Sequence, residues 1–340
     1  MKFGIVGAGV IAEYHREAIE RAEGAELVGV YDKFPEASEK FAARHGLPSF
    51  SSIETLVENG VAEVVTIATP SGWHLEPSLR AMEAGAHVLC EKPLEVTTGK
   101  IDRMIAVSER TGRKLGAVLQ VRTFPGCRTA KETIRDGKLG EILIADAYIK
   151  YYRTQEYYDA DAWRGTFELD GGGAAMNQGI HWIDLVNWLV GDAEWVESRC
   201  ATLGHDIEVE DVCHAVVGWK GGGRGMIEAT TCAKPGFPTR IEIHGTRGSL
   251  LLEDSHIRRM VIDGEESVAE CSGEGAGGHA DPTKFSVEGH IVHVENMIEA
   301  VVKNRPPLVN GTEARKSVQL ITSLYESSRE GKRIGLSVSQ

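Results

Sequence analysis

Lys92 and His181 are the two titratable side chains whose sequence surroundings suit proton transfer. Lys92 stands in Glu91-Lys92-Pro93, directly after an apolar run, Ala86-His87-Val88-Leu89-Cys90, that reads as a buried strand. At the carboxyl edge of a doubly wound sheet, where such folds hold ligands, a lysine can donate to a hydroxyl or carbonyl oxygen, and burial lowers its pKa towards usefulness. A solvated Glu-Lys pair in a surface loop is the plain alternative. His181 belongs to Gly171-Gly172-Gly173-Ala174-Ala175-Met176-Asn177-Gln178-Gly179-Ile180-His181-Trp182-Ile183-Asp184. The three glycines permit a sharp entry into a helix expected over about 174–190, and spacings of four and three put Asn177, His181 and Asp184 on one face. Ala175, Gly179, Trp182, Val186 and Leu189 form a separate apolar stripe, which leaves the polar face to line a cavity. A histidine merely packed on its helix is the other reading.

A second constellation suits an anion. Gly7-Ala8-Gly9-Val10-Ile11-Ala12 lies between the first strand-like run and the first helix. Gly7 permits a tight turn, Gly9 lets backbone approach a pyrophosphate, and Ala12 allows close helix–sheet packing. Val10 and Ile11 open a helix whose free N–H groups face the anion. Asp32 follows 20 residues after Ala12, where a carboxylate accepts from ribose hydroxyls. That carboxylate repels a 2′-phosphate and so favours NAD over NADP. Lys33 beside it could offset the repulsion, or simply be solvated.

Strand-like runs KFGIVG, AELVGVYD, AEVVTIAT, AHVLCEK and KLGAVLQ alternate with helical segments near 10–23, 35–45, 52–58, 72–84 and 97–111. This rhythm predicts βαβ units and a doubly wound parallel sheet over residues 1–121. From 122 to 340 the pattern changes to a helix near 126–137, a strand over 141–152, the glycine-led helix, and closely spaced strand-like runs from 194 to 262. These predict an α+β domain with a large, mainly antiparallel sheet. Residues 263–285 read as a glycine-rich loop, and two amphipathic helices follow it.

The 340 residues carry 37 Lys and Arg against 50 Asp and Glu, a net charge of −13. Such a surface repels a phosphate backbone, so nucleic acid is not an expected partner. No apolar run approaches the length of a spanning helix, which argues against a membrane protein. A strand-like run directly after Met1 leaves no room for a signal segment, so the expected location is cytoplasmic. Six cysteines without a CxxC pair are expected to be buried free thiols. His290 and His293 lie three apart on a helix without an evident third ligand, so they are read as packing residues and no metal is expected.

GAGVIA, EKP and GGGAAMNQGIHWID, in this order across the chain, resemble the Gfo/Idh/MocA oxidoreductases. The resemblance implies a Rossmann domain followed by an open-sheet domain that supports a homodimer or homotetramer. It also implies hydride transfer between a nicotinamide ring and a carbon of a sugar, cyclitol or sugar nucleotide. Residue by residue, Lys92 becomes the catalytic lysine and His181 the acid/base beside it. Glu91 and Pro93 shape the nicotinamide pocket, and Ala68, Thr69, Pro70 and His74 lie along the cofactor. Gln120 sits near nicotinamide and substrate, and Trp163-Arg164 matches a segment that reaches the active site. Many members carry Asp where this chain has Asn177; together with YYRTQEYY, that departure resembles the sugar-nucleotide branch.

These positions predict that the substrate hydroxyl bridges Lys92 and His181, one removing its proton while the other stabilises oxyanion charge. Arg122, Arg153 and Arg164 are the cations nearest these motifs and could hold a carboxylate or diphosphate, or else pair with protein carboxylates. Two rival functions share the fold: an NAD-dependent glycosidase that oxidises only transiently, and a cofactor-sensing regulator. The regulator could dispense with Lys92 and His181, which this chain keeps. The glycosidase would cleave a glycoside without net NADH.

Overall fold

A computed structural model describes residues 1–267 and 286–336 and divides the chain into two compact units. Met1–Gln120 and Val287–Arg315 form the first, Val121–Ser286 and Lys316–Gln340 the second. No helix among the described residues is long and apolar enough to cross a membrane.

In the first unit, strands β1 (Lys2–Val6), β2 (Glu26–Tyr31), β3 (Val64–Ile67), β4 (His87–Cys90) and β5 (Leu115–Ala117) form a parallel sheet in the order β2-β1-β3-β4-β5. Apart from Lys2 and His87 at their starts, β1, β3, β4 and β5 are buried throughout, as a sheet covered on both faces requires. The covering helices are α1 (Val10–Arg21), α2 (Pro35–His45), α3 (Ile53–Val57), α4 (Leu75–Ala84) and α5 (Thr98–Thr111). Local chemistry sets their ends. Pro35 opens α2, and a Ser52–Thr55 capping box opens α3. The Thr97 hydroxyl accepts from Lys100 N–H at the start of α5. The chain leaves β1 for β2 on one side and later returns to β3 on the other. The switch point of the sheet therefore lies at the end of β1, beside the glycine turn.

The second unit begins with α6 (Pro125–Arg135), β6 (Ile142–Lys150), α7 (Gln155–Asp159) and α8 (Ile180–Val190). Strands β7 (Ala193–Ala201), β8 (Val212–Trp219), β9 (Arg224–Thr230), β10 (Arg240–Gly245), β11 (Gly248–Glu253), β12 (His256–Ile262) and β13 (Glu265–Ser267) follow. After them come α9 (Glu288–Val302), α10 (Gly311–Glu330) and β14 (Ile334–Gly335). Nine strands run in the order β13-β12-β11-β10-β6-β9-β8-β7-β14, antiparallel except for the parallel pair β6–β9. Burial alternates along β6, β8 and β9, so one face is core and the other open. The core face receives α8 against β6 and α6 against β11 and β12. This is the expected fold class: a doubly wound α/β domain joined to an α+β domain with a large open sheet. Of the expected 263–285 loop, Glu265–Ser267 forms β13, and the rest, with Cys271, lies outside the described residues. Among the described cysteines, Cys90, Cys127 and Cys213 are buried free thiols as expected, whereas Cys200 and Cys232 are partly exposed.

One boundary is corrected. Residues 122–340 were expected to form a single region, yet Val287–Arg315 belong to the first unit. The reason is the apolar face of α9: Val287, Ile291, Val294 and Met297 share a core with Phe3, Ile5, Ala12 and Ile19. The following segment adds a backbone bond, Ala117 N–H to the Val309 carbonyl at 2.9 Å. Met297→Ala is therefore expected to destabilise the first unit by about 2–5 kcal/mol. Urea unfolding of the full chain measures it, and an unchanged midpoint would contradict this placement of α9.

Candidate active site

Gly7 adopts φ +100°, and a Cβ there would lie 2.6 Å from the Ala68 carbonyl oxygen, so only glycine fits this turn. Gly9 caps the start of α1, and nothing lies within 4 Å of where its Cβ would be. That open space above free helix N–H groups is what a pyrophosphate needs. Val10 is 70% exposed at the same edge, and Ile11 is half-buried. Asp32 ties the turn to β2: its two oxygens accept from Ala8 N–H and Phe34 N–H, each at 2.8 Å. Beside it a groove of about 500 Å³ is lined by Tyr31, Lys33, Thr69 and Trp73 among others. Lys33 is exposed, with its ammonium 5.1 Å from the centre of the Trp73 ring. The turn, the carboxylate and the groove fit a dinucleotide.

Beyond β3, Ala68 is buried and Pro70 opens a short turn, Ser71–Trp73. His74, expected along the cofactor, is 1% exposed and bridges two loops. Its Nδ1 meets the Pro93 carbonyl at 2.8 Å and its Nε2 the Thr69 carbonyl at 2.9 Å. Burial lowers its pKa.

Glu91 is likewise buried. One carboxylate oxygen accepts from His15 Nε2 at 3.0 Å and His290 Nε2 at 2.9 Å, while the other accepts the Lys92 N–H at 3.1 Å. Burial pushes this carboxyl up, but the two imidazole donors outweigh it and hold it well below the usual range. Burial in turn keeps His15 below its ordinary value. His290 is therefore more than a packing residue. Lys92 itself is partly exposed, with a cis peptide to Pro93. Gln120 opens the short turn Gln120–Thr123, and its Cβ sits so close to Gly289 that any side chain there would collide.

In the second unit the expected helix over 174–190 is two pieces. A π-helical turn, Ala174–Gln178, precedes α8, which begins at Ile180. This separates the expected face. His181 stays partly exposed, whereas Asp184 is wholly buried and accepts from Arg122 through Nε and Nη2, both at 2.7 Å, with the Ser317 hydroxyl as a third donor. Arg122 is thus paired with a protein carboxylate, the alternative that its sequence position left open. Asn177 donates to Asp170, and its own oxygen accepts from Gln178 at 2.8 Å. The Gln178 oxygen accepts from Arg153 Nε at 3.0 Å and its amide donates to the Tyr157 hydroxyl at 3.0 Å. Arg164 pairs with Asp161 at 2.9 Å and lies over the Tyr157 and Trp163 rings, 4.5 and 4.7 Å from their centres. Arg153, Arg164, Tyr157, Gln178 and Asn177 are therefore brought together.

Sequence reasoning missed His15, Asp170, Glu210 and Tyr325. Glu210 anchors the glycine turn by accepting from Gly173 N–H at 2.9 Å, Ala175 N–H at 2.8 Å and the Tyr325 hydroxyl at 2.9 Å. Gly172 approaches the same tyrosine so closely that a Cβ would lie 2.1 Å from its oxygen. Glu208, Glu210 and Asp211 look alike in the sequence, and only the fold selects one of them. His15, with its i+3 relation to Ala12 on a core-facing helix, carried the one available signal: a polar residue on an apolar stripe.

Burial raises the Glu210 carboxyl to about 7, with its three donors opposing the shift. A carboxyl raised on folding binds its proton more tightly in the folded state. Its contribution to stability is complete below about pH 4.5 and is lost as pH rises through about 7. Relative to Glu210→Gln, the wild type should lose up to about 3 kcal/mol across that window and stay level above it. Denaturant titrations of both proteins at a series of pH values test this, and a pH-independent difference would contradict it.

Similarity to known proteins agrees with this geometry. Residues 1–118 match the model of an oxidoreductase family with an NAD-binding Rossmann fold, and residues 127–251 match the Gfo/Idh/MocA C-terminal domain. The WlbA dehydrogenase of Bordetella pertussis, solved in complex with NADH and UDP-GlcNAcA, superimposes with a TM-score of 0.87 at 35% identity, covering 99% of each chain. The 1,5-anhydro-D-fructose reductase of Ensifer adhaerens is 30% identical over 74% of this chain and 75% of its own. Inositol 2-dehydrogenase of Rhizobium meliloti is 24% identical over 99% of both. With both halves matched in order and a dinucleotide cradle at the switch point of the first sheet, the chain belongs to the Gfo/Idh/MocA family of NAD-binding oxidoreductases.

Proposed function

We propose that this enzyme oxidises or reduces a secondary alcohol carbon of a sugar nucleotide carrying a carboxylate, using NAD. The observation that carries this reading is the likeness to WlbA over 99% of both chains, a protein solved with NADH and UDP-GlcNAcA. A second support is the cluster around Gln178, where two guanidiniums and a tyrosine hydroxyl offer the planar donors that suit carboxylate or diphosphate oxygens. Arg153 is 4% exposed, and that burial lowers its pKa, so an incoming anion would meet a poorly hydrated cation.

Bound NAD supplies the hydride acceptor for the substrate carbon. The chain's own residues handle the proton. The Lys92 ammonium donates to the substrate hydroxyl oxygen and stabilises negative charge as it develops there. A ring nitrogen of His181 takes the hydroxyl proton, because imidazole titrates near neutrality without much tuning. Glu91 acts through Lys92, holding its backbone N–H. Asn177, fixed by Asp170 and Gln178, orients substrate rather than removing a proton. The exposed apolar residues Ile144, Val216 and Met226 on the open sheet face suit pairing with a second subunit.

Purified protein given NAD and a UDP-sugar uronate should show the rise in nicotinamide absorbance. Lys92→Met and His181→Ala should each lower turnover by about 10²–10⁴-fold while cofactor binding persists. Full activity in either variant would overturn the assignment, and a silent panel of uronates and UDP-sugars would overturn the substrate class. Asp32→Ser should shift the NADP-to-NAD preference by roughly tenfold towards NADP, equivalent to ~1.4 kcal/mol. Competitive binding of the two cofactors measures that shift.

A further inference from the structure

Strands β7 and β8 pair antiparallel with Cys200 opposite Cys213. Their sulfurs are 3.2 Å apart. The Cys200 N–H points away from β8 and donates to the Ser328 hydroxyl at 2.8 Å, and the Ser198 N–H does the same to Ser327 at 3.0 Å. Positions 198 and 200 are therefore the non-hydrogen-bonded sites of this ladder, where facing side chains come closest. Cys213 is buried and Cys200 partly exposed, so Cys200 is the more accessible of the two to a small oxidant. The mechanism proposed for the alcohol uses neither.

We propose that Cys200 and Cys213 are a redox pair that closes to an intrachain disulfide when the protein meets a peroxide. The sulfurs need to approach from 3.2 Å to about 2.0 Å, a movement of roughly an ångström that side-chain torsions can supply. Cys200 sulfur attacks a peroxide oxygen, the O–O bond breaks, and one water leaves, so that Cys200 carries the oxygen as a sulfenic acid. Cys213 sulfur then attacks Cys200 sulfur. The S–O bond breaks, and the departing hydroxide takes the Cys213 thiol proton to leave as a second water. Two thiols give up two electrons in all, and the peroxide is reduced to water. Strand β7 is bonded to Ser327 and Ser328 of α10, the helix that also carries Tyr325, and Tyr325 holds Glu210 against the glycine turn. The bond would thus tie β7 to β8 behind the anchor of the segment that leads to His181.

The chemistry is read by mass and does not depend on turnover. Native protein is treated with hydrogen peroxide, quenched, unfolded in an alkylating agent, and digested without reductant. The expected product lacks two hydrogens and yields one cross-linked peptide pair holding Cys200 and Cys213, which dithiothreitol separates. Cys232, also partly exposed but 3.8 Å from His205 rather than beside a thiol in the described structure, is the internal control and should remain alkylated. Cys213→Ser should lose the cross-link and leave Cys200 to oxidise further. Complete alkylation of both cysteines in the oxidised wild type, sulfinic acid at Cys200 beside an intact Cys213 thiol, or a cross-link to Cys232 would each overturn the proposal.

Discussion

The buried carboxylate of Glu91 is the constraint on which the first unit depends. A carboxylate taken out of water costs several kcal/mol unless charge and hydrogen bonds offset the loss. Here His15 from α1, His290 from α9 and the Lys92 N–H supply the donors. One side chain therefore links the helix that opens at the glycine turn, the backbone of Lys92, and a helix distant in sequence. Removing any one donor would leave a buried charge underfilled, so the three elements hold their positions together.

The second unit uses the same device twice. Asp184 is satisfied by Arg122 and Ser317, and Glu210 by two backbone N–H groups and Tyr325. Between these two buried acids lies the π-helical turn and the start of α8, the stretch that carries Asn177, Gln178 and His181. A π turn gives up regular helical hydrogen bonding, and such turns recur at functional sites. Glu210 caps its start with donors aimed at both oxygens, which explains how an irregular backbone persists there. Buried hydrogen bonds thus hold the segment at both ends.

Arginine assignment shows how far spacing alone can reach. Arg122, Arg153 and Arg164 all lie near the recognised motifs, and nothing in their types separates them. The fold commits Arg122 to Asp184 inside the core and gathers Arg153 and Arg164 around Tyr157 and Gln178. The difference is one of partner: a buried carboxylate holds Arg122, whereas the Gln178 amide oxygen holds Arg153 and Asp161 pairs with Arg164. Asn177 makes a related point. Asp170 stands as its partner through a hydrogen bond across seven residues.

Local patterning alone determined the parallel sheet, its five strands and the glycine turn with Asp32, because each rests on period, turn chemistry and short spacing that neighbouring residues enforce. The order of GAGVIA, EKP and GGGAAMNQGIHWID carried the resemblance to the family. Tertiary structure decided what long-range contact alone can decide. It assigned α9 to the first unit, because an apolar stripe does not name the core it joins. It joined His15 and His290 on Glu91, 76 and 199 residues away. It selected Glu210 among adjacent acids and set Cys200 against Cys213 through strand register. Each of these depends on which surfaces meet when the chain closes, and burial then turns an ordinary side chain into a hydrogen-bonded charge or a paired thiol.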